Sequence, residues 1–126
     1  MSEPKTLNSE TVAAPIGPYS HASVCAGLLF ATGQLPLDAD GELVGGGAGA
    51  QATQCLANLA AVCASAGTSL DRAVRLGVYV TDLGAFAEVN EAYSRALGEH
   101  RPARTTVEVA ALPLGAAVEI DAIVAL

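Results

Sequence analysis

Arg104 stands in the stretch PARTTVEVA, among alternating Thr and Val residues, in a chain of 126 residues with only six Lys and Arg. A guanidinium keeps its charge, must be paired or solvated, and has a planar fork that matches a carboxylate. Side chains alternate across a strand, so Arg104, Thr106 and Glu108 share one face while Thr105, Val107 and Val109 share the other. Further on, Val118, Ile120, Ala122 and Val124 form an apolar set that leaves Glu119 and Asp121 opposite. If helices cover the apolar faces, the charged residues gather together on the second face. Two chemistries fit this arrangement. One is a cross-strand ion pair contributing a few tenths to ~1 kcal/mol. The other is a half-buried arginine aimed at the carboxylate of a small ligand.

Other chemistry-bearing residues form no constellation. Ser20 and His21 lack the spacing and the nucleophile elbow of a catalytic triad, and His21 reads as a surface or pocket-rim histidine. His21 and Cys25, four apart on a strand, are separated by roughly 13 Å, too far to share a metal. His100 falls in a loop. The segment DADGELVGGGAGA has Leu43 where an EF-hand loop from Asp38 needs Gly, and it lacks the Lys of a phosphate-cradling loop. It reads as a connector. Neither a metal-ligand set nor a nucleotide-cofactor fingerprint is present, so no cofactor is expected.

These residues must be positioned by a small framework. Residues 1–126 are expected to form one domain. Hydrophobic residues make up 52% and charged residues 15%, more apolar surface than one small domain buries, which suggests an obligate oligomer. No run approaches the roughly 20 apolar residues of a membrane helix, and MSEPKTLNSETV is too polar for a signal peptide. Cys25, Cys55 and Cys63 lack metal spacing and read as reduced, buried thiols of a cytoplasmic protein. The formal charge of −7 argues against nucleic acid as a partner, although a single Arg can still capture a small anion.

Residues 19–25 and 28–34 read as a hairpin turning at Ala26 and Gly27. Leu56, Leu59, Val62, Cys63 and Ala66 recur at helical steps over 51–66, with Gly67 at the C-cap. The Val-rich stretch 73–82 reads as a strand. Asp82 then caps a second helix, whose face is Phe86, Val89, Asn90, Tyr93 and Leu97 and which Gly98 closes. Strands over 104–112 and 116–126 flank LPLG, whose Pro113 cannot join a central ladder.

The stretches IGPYSHA (16–22), ATGQLPLD (31–38), GVYVTDLGAFAEVNEAY (77–93) and RPARTTVEVAALPLGAAVEI (101–120) resemble the Rid family, also called YjgF/YER057c/UK114, and its reactive-intermediate deaminase subgroup. The resemblance runs from about Ile16 to the end. It implies an α+β, chorismate-mutase-like fold, with a mixed sheet of about six strands and two helices on one face. It also implies a homotrimer with ligand clefts between subunits. The implied activity is hydrolysis of 2-imino acids, 2-iminobutanoate and 2-iminopropanoate among them, to 2-oxo acids and ammonia. These imines arise from enamines released by pyridoxal-phosphate enzymes. Carried over residue by residue, the carboxylate-binding arginine falls on Arg104 and the water-positioning glutamate on Glu119. Tyr19, Thr32, Gly33, Asn90 and Thr106 fall on substrate-binding positions. Thr106 replaces a cysteine, and His21 replaces the usual glutamine after PYS. Three alternatives stay open: a small-carboxylate sensor without turnover, a specialised biosynthetic step on a related imine or oxo acid, and the ribonuclease activity attributed to some relatives. The acidic chain disfavours the last.

Overall fold

The computed structural model describes residues 3–126. Strands β1 (Lys5–Leu7), β2 (Ala22–Cys25), β3 (Leu28–Gln34), β4 (Ala73–Val80), β5 (Ala103–Glu108) and β6 (Val118–Ala125) form one mixed sheet in the order β1-β2-β3-β6-β4-β5. Every neighbouring pair is antiparallel except β4 with β5. Helices α1 (Ala48–Ser65) and α2 (Phe86–Leu97) cover one face, α1 lying on β3 and β6 and α2 against α1. This is the expected α+β chorismate-mutase-like architecture.

Local chemistry explains the elements. The β2–β3 hairpin turns on Ala26 and Gly27, both at positive φ (55° and 76°), which is the twist a two-residue hairpin requires. The first hairpin strand begins at Ala22 rather than at residue 19. α1 ends in a Schellman arrangement: Thr68 N–H donates to the Cys63 carbonyl and Gly67 N–H to that of Ala64, with Gly67 at φ +78°. Asp82 accepts from Gly84 N–H at 2.7 Å and caps a 3-10 turn, Leu83–Ala85, that leads into α2. Strand β1 is an addition to the expected order. Three residues carry too little pattern to announce a strand, and this one is held at the sheet edge by pairing Lys5–Leu7 with Ala22–Val24.

Alternation sorts the two faces. Leu29, Leu76, Val78, Val118, Ile120 and Val124 are fully buried under α1, whose Leu56, Leu59 and Val62 meet them. At about 25 cal/mol per Å² of apolar surface, such side chains stabilise the fold by roughly 1.5–3 kcal/mol each. Polar groups of α1 tie down the flanking loops: Asn58 Nδ2 donates to the Leu35 and Leu37 carbonyls, and Gln51 Oε1 accepts from Ala117 N–H. Burial pushes the Cys63 thiol up to about 11 and raises Cys55 as well, so both are inert. Cys25 is only half-buried, against the expectation that all three cysteines sit in the core. The opposite face, which carries Phe30, Tyr79, Val107, Glu119 and Asp121, is left uncovered, and Phe30 and Val107 are 43% and 39% exposed.

Candidate active site

Pairing in β6 opposes Glu119 to Tyr79 and Asp121 to Gly77 on the uncovered face. Gly33, at the end of β3, lets the Glu119 carboxyl lie against its backbone. Burial, and then the neighbouring Asp121 charge, raise the Glu119 carboxyl above the usual carboxylate range. Tyr79 donates its hydroxyl to Asp121 Oδ2 at 3.0 Å, and Arg75 Nη1 lies 3.7 Å from Asp121 Oδ1. Burial, followed by the bond to Asp121, raises the Tyr79 phenol. Tyr19 folds back over Gly17 and accepts from Ile16 N–H at 3.3 Å, leaving 44% of it exposed. Thr32 Oγ1 donates to the Ser20 carbonyl at 2.7 Å, fixing the Tyr19 segment to β3. Ile16, Tyr19, Thr32, Gly33, Tyr79, Glu119 and Asp121 line one open cleft of about 430 Å³.

Arg104 is elsewhere. In the parallel β4–β5 pairing it stands beside Leu76, and Thr106 beside Val78. Paired residues share a face, so both point to the helix side, opposite Glu119. This corrects the expectation that the charged strand residues gather on one face. The β5 strand lies at the edge, and the alternation that puts Thr105 and Val107 outward turns Arg104 toward α2. There its guanidinium carbon stacks 4.7 Å from the Tyr93 ring centroid and 5.6 Å from that of Phe86. Strand spacing and rise put the Arg104 and Glu119 backbones roughly 14 Å apart, with the sheet between their side chains. Arg104 makes no cross-strand ion pair: among the described residues Asp121 pairs with Arg75 across β4 and β6 and Glu91 with Arg95, while Glu108 accepts from Leu83 N–H.

The Arg104 surroundings are polar and unfinished. Among the described residues, Asn90 Oδ1, Tyr93 OH and Thr106 Oγ1 are three of the four buried side-chain polar atoms without a hydrogen-bond partner. Leaving such an atom unpaired costs ~1–3 kcal/mol. Asn90 and Tyr93 line a cleft of about 220 Å³ with Ser94, Arg101, Pro102 and Arg104, and Thr106 follows Arg104 on the same strand face. The candidate residues thus fall into two groups on opposite sides of the sheet: Tyr19, Thr32, Gly33 and Glu119 in one, Asn90, Arg104 and Thr106 in the other. Sequence reasoning placed Tyr93 only on the packing face of α2 and gave no role to Tyr79. A hydroxyl one turn from Asn90 in a mostly apolar helix stripe was the available signal for Tyr93. His21, expected at a surface or pocket rim, does line a pocket but is only 2% exposed. Two ring nitrogens with backbone partners make that burial affordable.

The helix side of the sheet thus carries an arginine-lined cleft, and the opposite side a half-buried carboxylate. Residues 10–126 match the model of the family described as Endoribonuclease L-PSP. The chain is 46% identical to the RutC family protein y4sK of Sinorhizobium fredii over 127 residues, covering 100% of this chain and 99% of that one. It is 38% identical to the 2-iminobutanoate/2-iminopropanoate deaminase of Bos taurus, over 94% of this chain and 88% of that one. The crystal structure of E. coli TdcF with bound serine superposes with a TM-score of 0.91 at 32% identity, over 97% of this chain and 98% of that one. The chain belongs to the Rid (YjgF/UK114) family.

Proposed function

We propose that this protein is a homotrimeric, cytoplasmic hydrolase of 2-imino acids, with each active site assembled from the Arg104 half-site of one protomer and the Glu119 half-site of the next. The observation that carries this reading is the Arg104 guanidinium, stacked on Tyr93, free of any carboxylate among the described residues, in a cleft shared with Asn90 and Tyr93, whose Oδ1 and hydroxyl have no hydrogen-bond partner. A guest's carboxylate accepts from the guanidinium and from the Tyr93 and Thr106 hydroxyls, leaving Asn90 Oδ1 for a donor on the guest. The bovine relative's name supplies the imine substrate, and the serine bound to TdcF shows that a related protein holds a small carboxylate. The exposed Phe30 and Val107 on the uncovered face support assembly.

Arg104 grips the substrate carboxylate through paired N–H donors, with Asn90 and Thr106 completing its polar shell. The C=N carbon, electrophilic once its nitrogen is protonated, is thereby fixed beside a water held by Glu119. The water oxygen bonds to that carbon as Glu119 takes its proton, giving a carbinolamine. Glu119 returns the proton to nitrogen, the C–N bond breaks, and ammonia leaves as the hydroxyl proton passes back to Glu119 and C=O forms. A desolvated carboxyl with raised proton affinity suits both directions of transfer. Tyr19, Thr32 and Gly33 wall the site.

The experiment generates 2-iminopropanoate and 2-iminobutanoate in situ with an amino-acid oxidase and times their decay. Arg104→Ala is expected to lose about 2–5 kcal/mol of transition-state binding. Glu119→Ala is expected to lose turnover while still binding 2-oxobutanoate. Full hydrolysis by Arg104→Ala sinks the mechanism. Binding without hydrolysis by the wild type establishes a sensor instead.

A further inference from the structure

His21 is buried at the hinge of the Glu119 half-site, and its hydrogen bonds fix its protonation state. Its ring Nδ1 lies 2.9 Å from Ser9 N, an obligatory donor, so Nδ1 is the acceptor and carries no proton. In a neutral ring the proton then sits on Nε2, which donates to the Ala13 carbonyl at 2.8 Å. The His21 backbone N–H donates to Asn8 Oδ1, and its carbonyl accepts from Thr32 N–H at 2.9 Å. One residue therefore joins the 8–13 segment to Thr32 and to Tyr19, two positions upstream. The side chains sharing its cavity, Tyr19, Gln34, Leu35, Leu37 and Asn58 among them, include no carboxylate, lysine or arginine, and Tyr19 is the one other titratable group.

We propose that His21 is a positioning residue that holds the Tyr19–Thr32–Gly33 wall in place in its neutral Nε2–H form and releases the 8–13 strap when protonated. Protonation puts a hydrogen on Nδ1, directly against the Ser9 N–H. One hydrogen bond becomes a donor–donor clash in a cavity with no anion to hold the imidazolium. Ser9 and the residues toward Ala13 lose their anchor, and Ile16 and Tyr19, which continue from them, lose their register over the cleft. Histidine is the side chain that makes this exchange between about pH 5 and 8. The functional half of this inference rests on the deaminase reading, whereas the structural half stands alone.

The test uses the intact protein. Long-range nitrogen NMR reads the His21 tautomer and its titration, and amide exchange reads protection at Ser9. The ring is expected as the Nε2–H tautomer at alkaline pH, with Ser9 protection falling about tenfold or more as it protonates. Imine decay then compares the wild type, His21→Gln and His21→Phe. Glutamine offers an amide oxygen to Ser9 N–H and an NH2 to the Ala13 carbonyl, and it does not titrate. His21→Gln is expected to keep kcat/KM within about threefold at alkaline pH, a loss below ~1 kcal/mol, and to lack one acid limb of the wild-type profile. His21→Phe is expected to raise KM at every pH. An Nδ1–H tautomer, Ser9 protection indifferent to the ring, or an identical acid limb in His21→Gln overturns the proposal. If the wild type hydrolyses neither imine, the NMR and exchange results still decide the strap, so that failure is told apart from this one.

Discussion

A methyl group added at Gly33 would lie 3.0 Å from the Glu119 Cδ and 3.2 Å from its Oε2, so the glycine is what lets the carboxyl rest on the β3 backbone. Gly33 has no positive φ, and its requirement is space rather than conformation. Gly33→Ala is expected to fold and to displace Glu119 by a few tenths of an ångström. With a 1 Å misplacement costing about 100-fold, kcat is expected to fall about tenfold with KM little changed. Steady-state imine decay checks the split, and a rise in KM alone would move the role of Gly33 to binding.

Tyr93 separates stacking from hydrogen bonding at Arg104. Its ring supports the guanidinium from 4.7 Å, and its hydroxyl is orphaned. Burial raises the Tyr93 phenol while the Arg104 charge draws it back, so it stays a donor at neutral pH. Tyr93→Leu removes a cation–π contact contributing about 0.5–2 kcal/mol and is expected to weaken 2-oxobutanoate binding by roughly 2- to 30-fold. Tyr93→Phe keeps the stack and is expected to bind closer to the wild type. Calorimetric titration with the oxo acid measures both, and equal losses would show that the hydroxyl, rather than the ring, matters.

On the proposed mechanism, Glu119 is expected to make both activity and stability depend on pH. Its carboxyl is raised by burial first and by the Asp121 charge second. Asp121→Asn removes the second cause, so the Glu119 limb of the pH–kcat profile is expected to move to lower pH. The shift is best read in the His21→Gln background, where the imidazole does not titrate. The same elevation means that the folded state binds the Glu119 proton more tightly than the unfolded one. Its stabilising contribution is complete below the unfolded carboxyl range and is lost as pH rises through the folded value. Glu119→Gln is therefore expected to raise Tm at pH 8 and to lose that advantage near pH 4, as thermal melts across pH would show.

The fold was legible because its periods are strong. Leu56, Leu59 and Val62 on α1 and Val118, Ile120 and Val124 on β6 mark buried faces, and Ala26–Gly27, Gly67 and Asp82 punctuate them. The candidate site residues were named from local stretches, but their placement was not legible there. Which face Arg104 joins depends on its pairing with Leu76, 28 residues away, and on the α2 rings that receive it. Alternation says which residues go together and leaves open which side is the core. His21 escaped for a related reason: its burial depends on Ser9 and Ala13 folding back to meet both nitrogens, a contact no periodicity encodes.

The opposite orientation of Arg104 and Glu119 yields the sharpest test of assembly. If one site takes Arg104 from one chain and Glu119 from its neighbour, each single variant is crippled for a different reason and carries an intact copy of what the other lacks. Arg104→Ala and Glu119→Ala chains, unfolded together and refolded at equal ratio, are expected to form mixed trimers on the proposed assembly. A working site needs Arg104 from a Glu119→Ala chain and Glu119 from an Arg104→Ala neighbour, which at a cyclic, head-to-tail interface happens in about a quarter of the sites. The refolded mixture is expected to recover about a quarter of wild-type activity, while each variant refolded alone recovers none. Were both residues used within a single chain, mixing would restore nothing, because no chain in the mixture holds both.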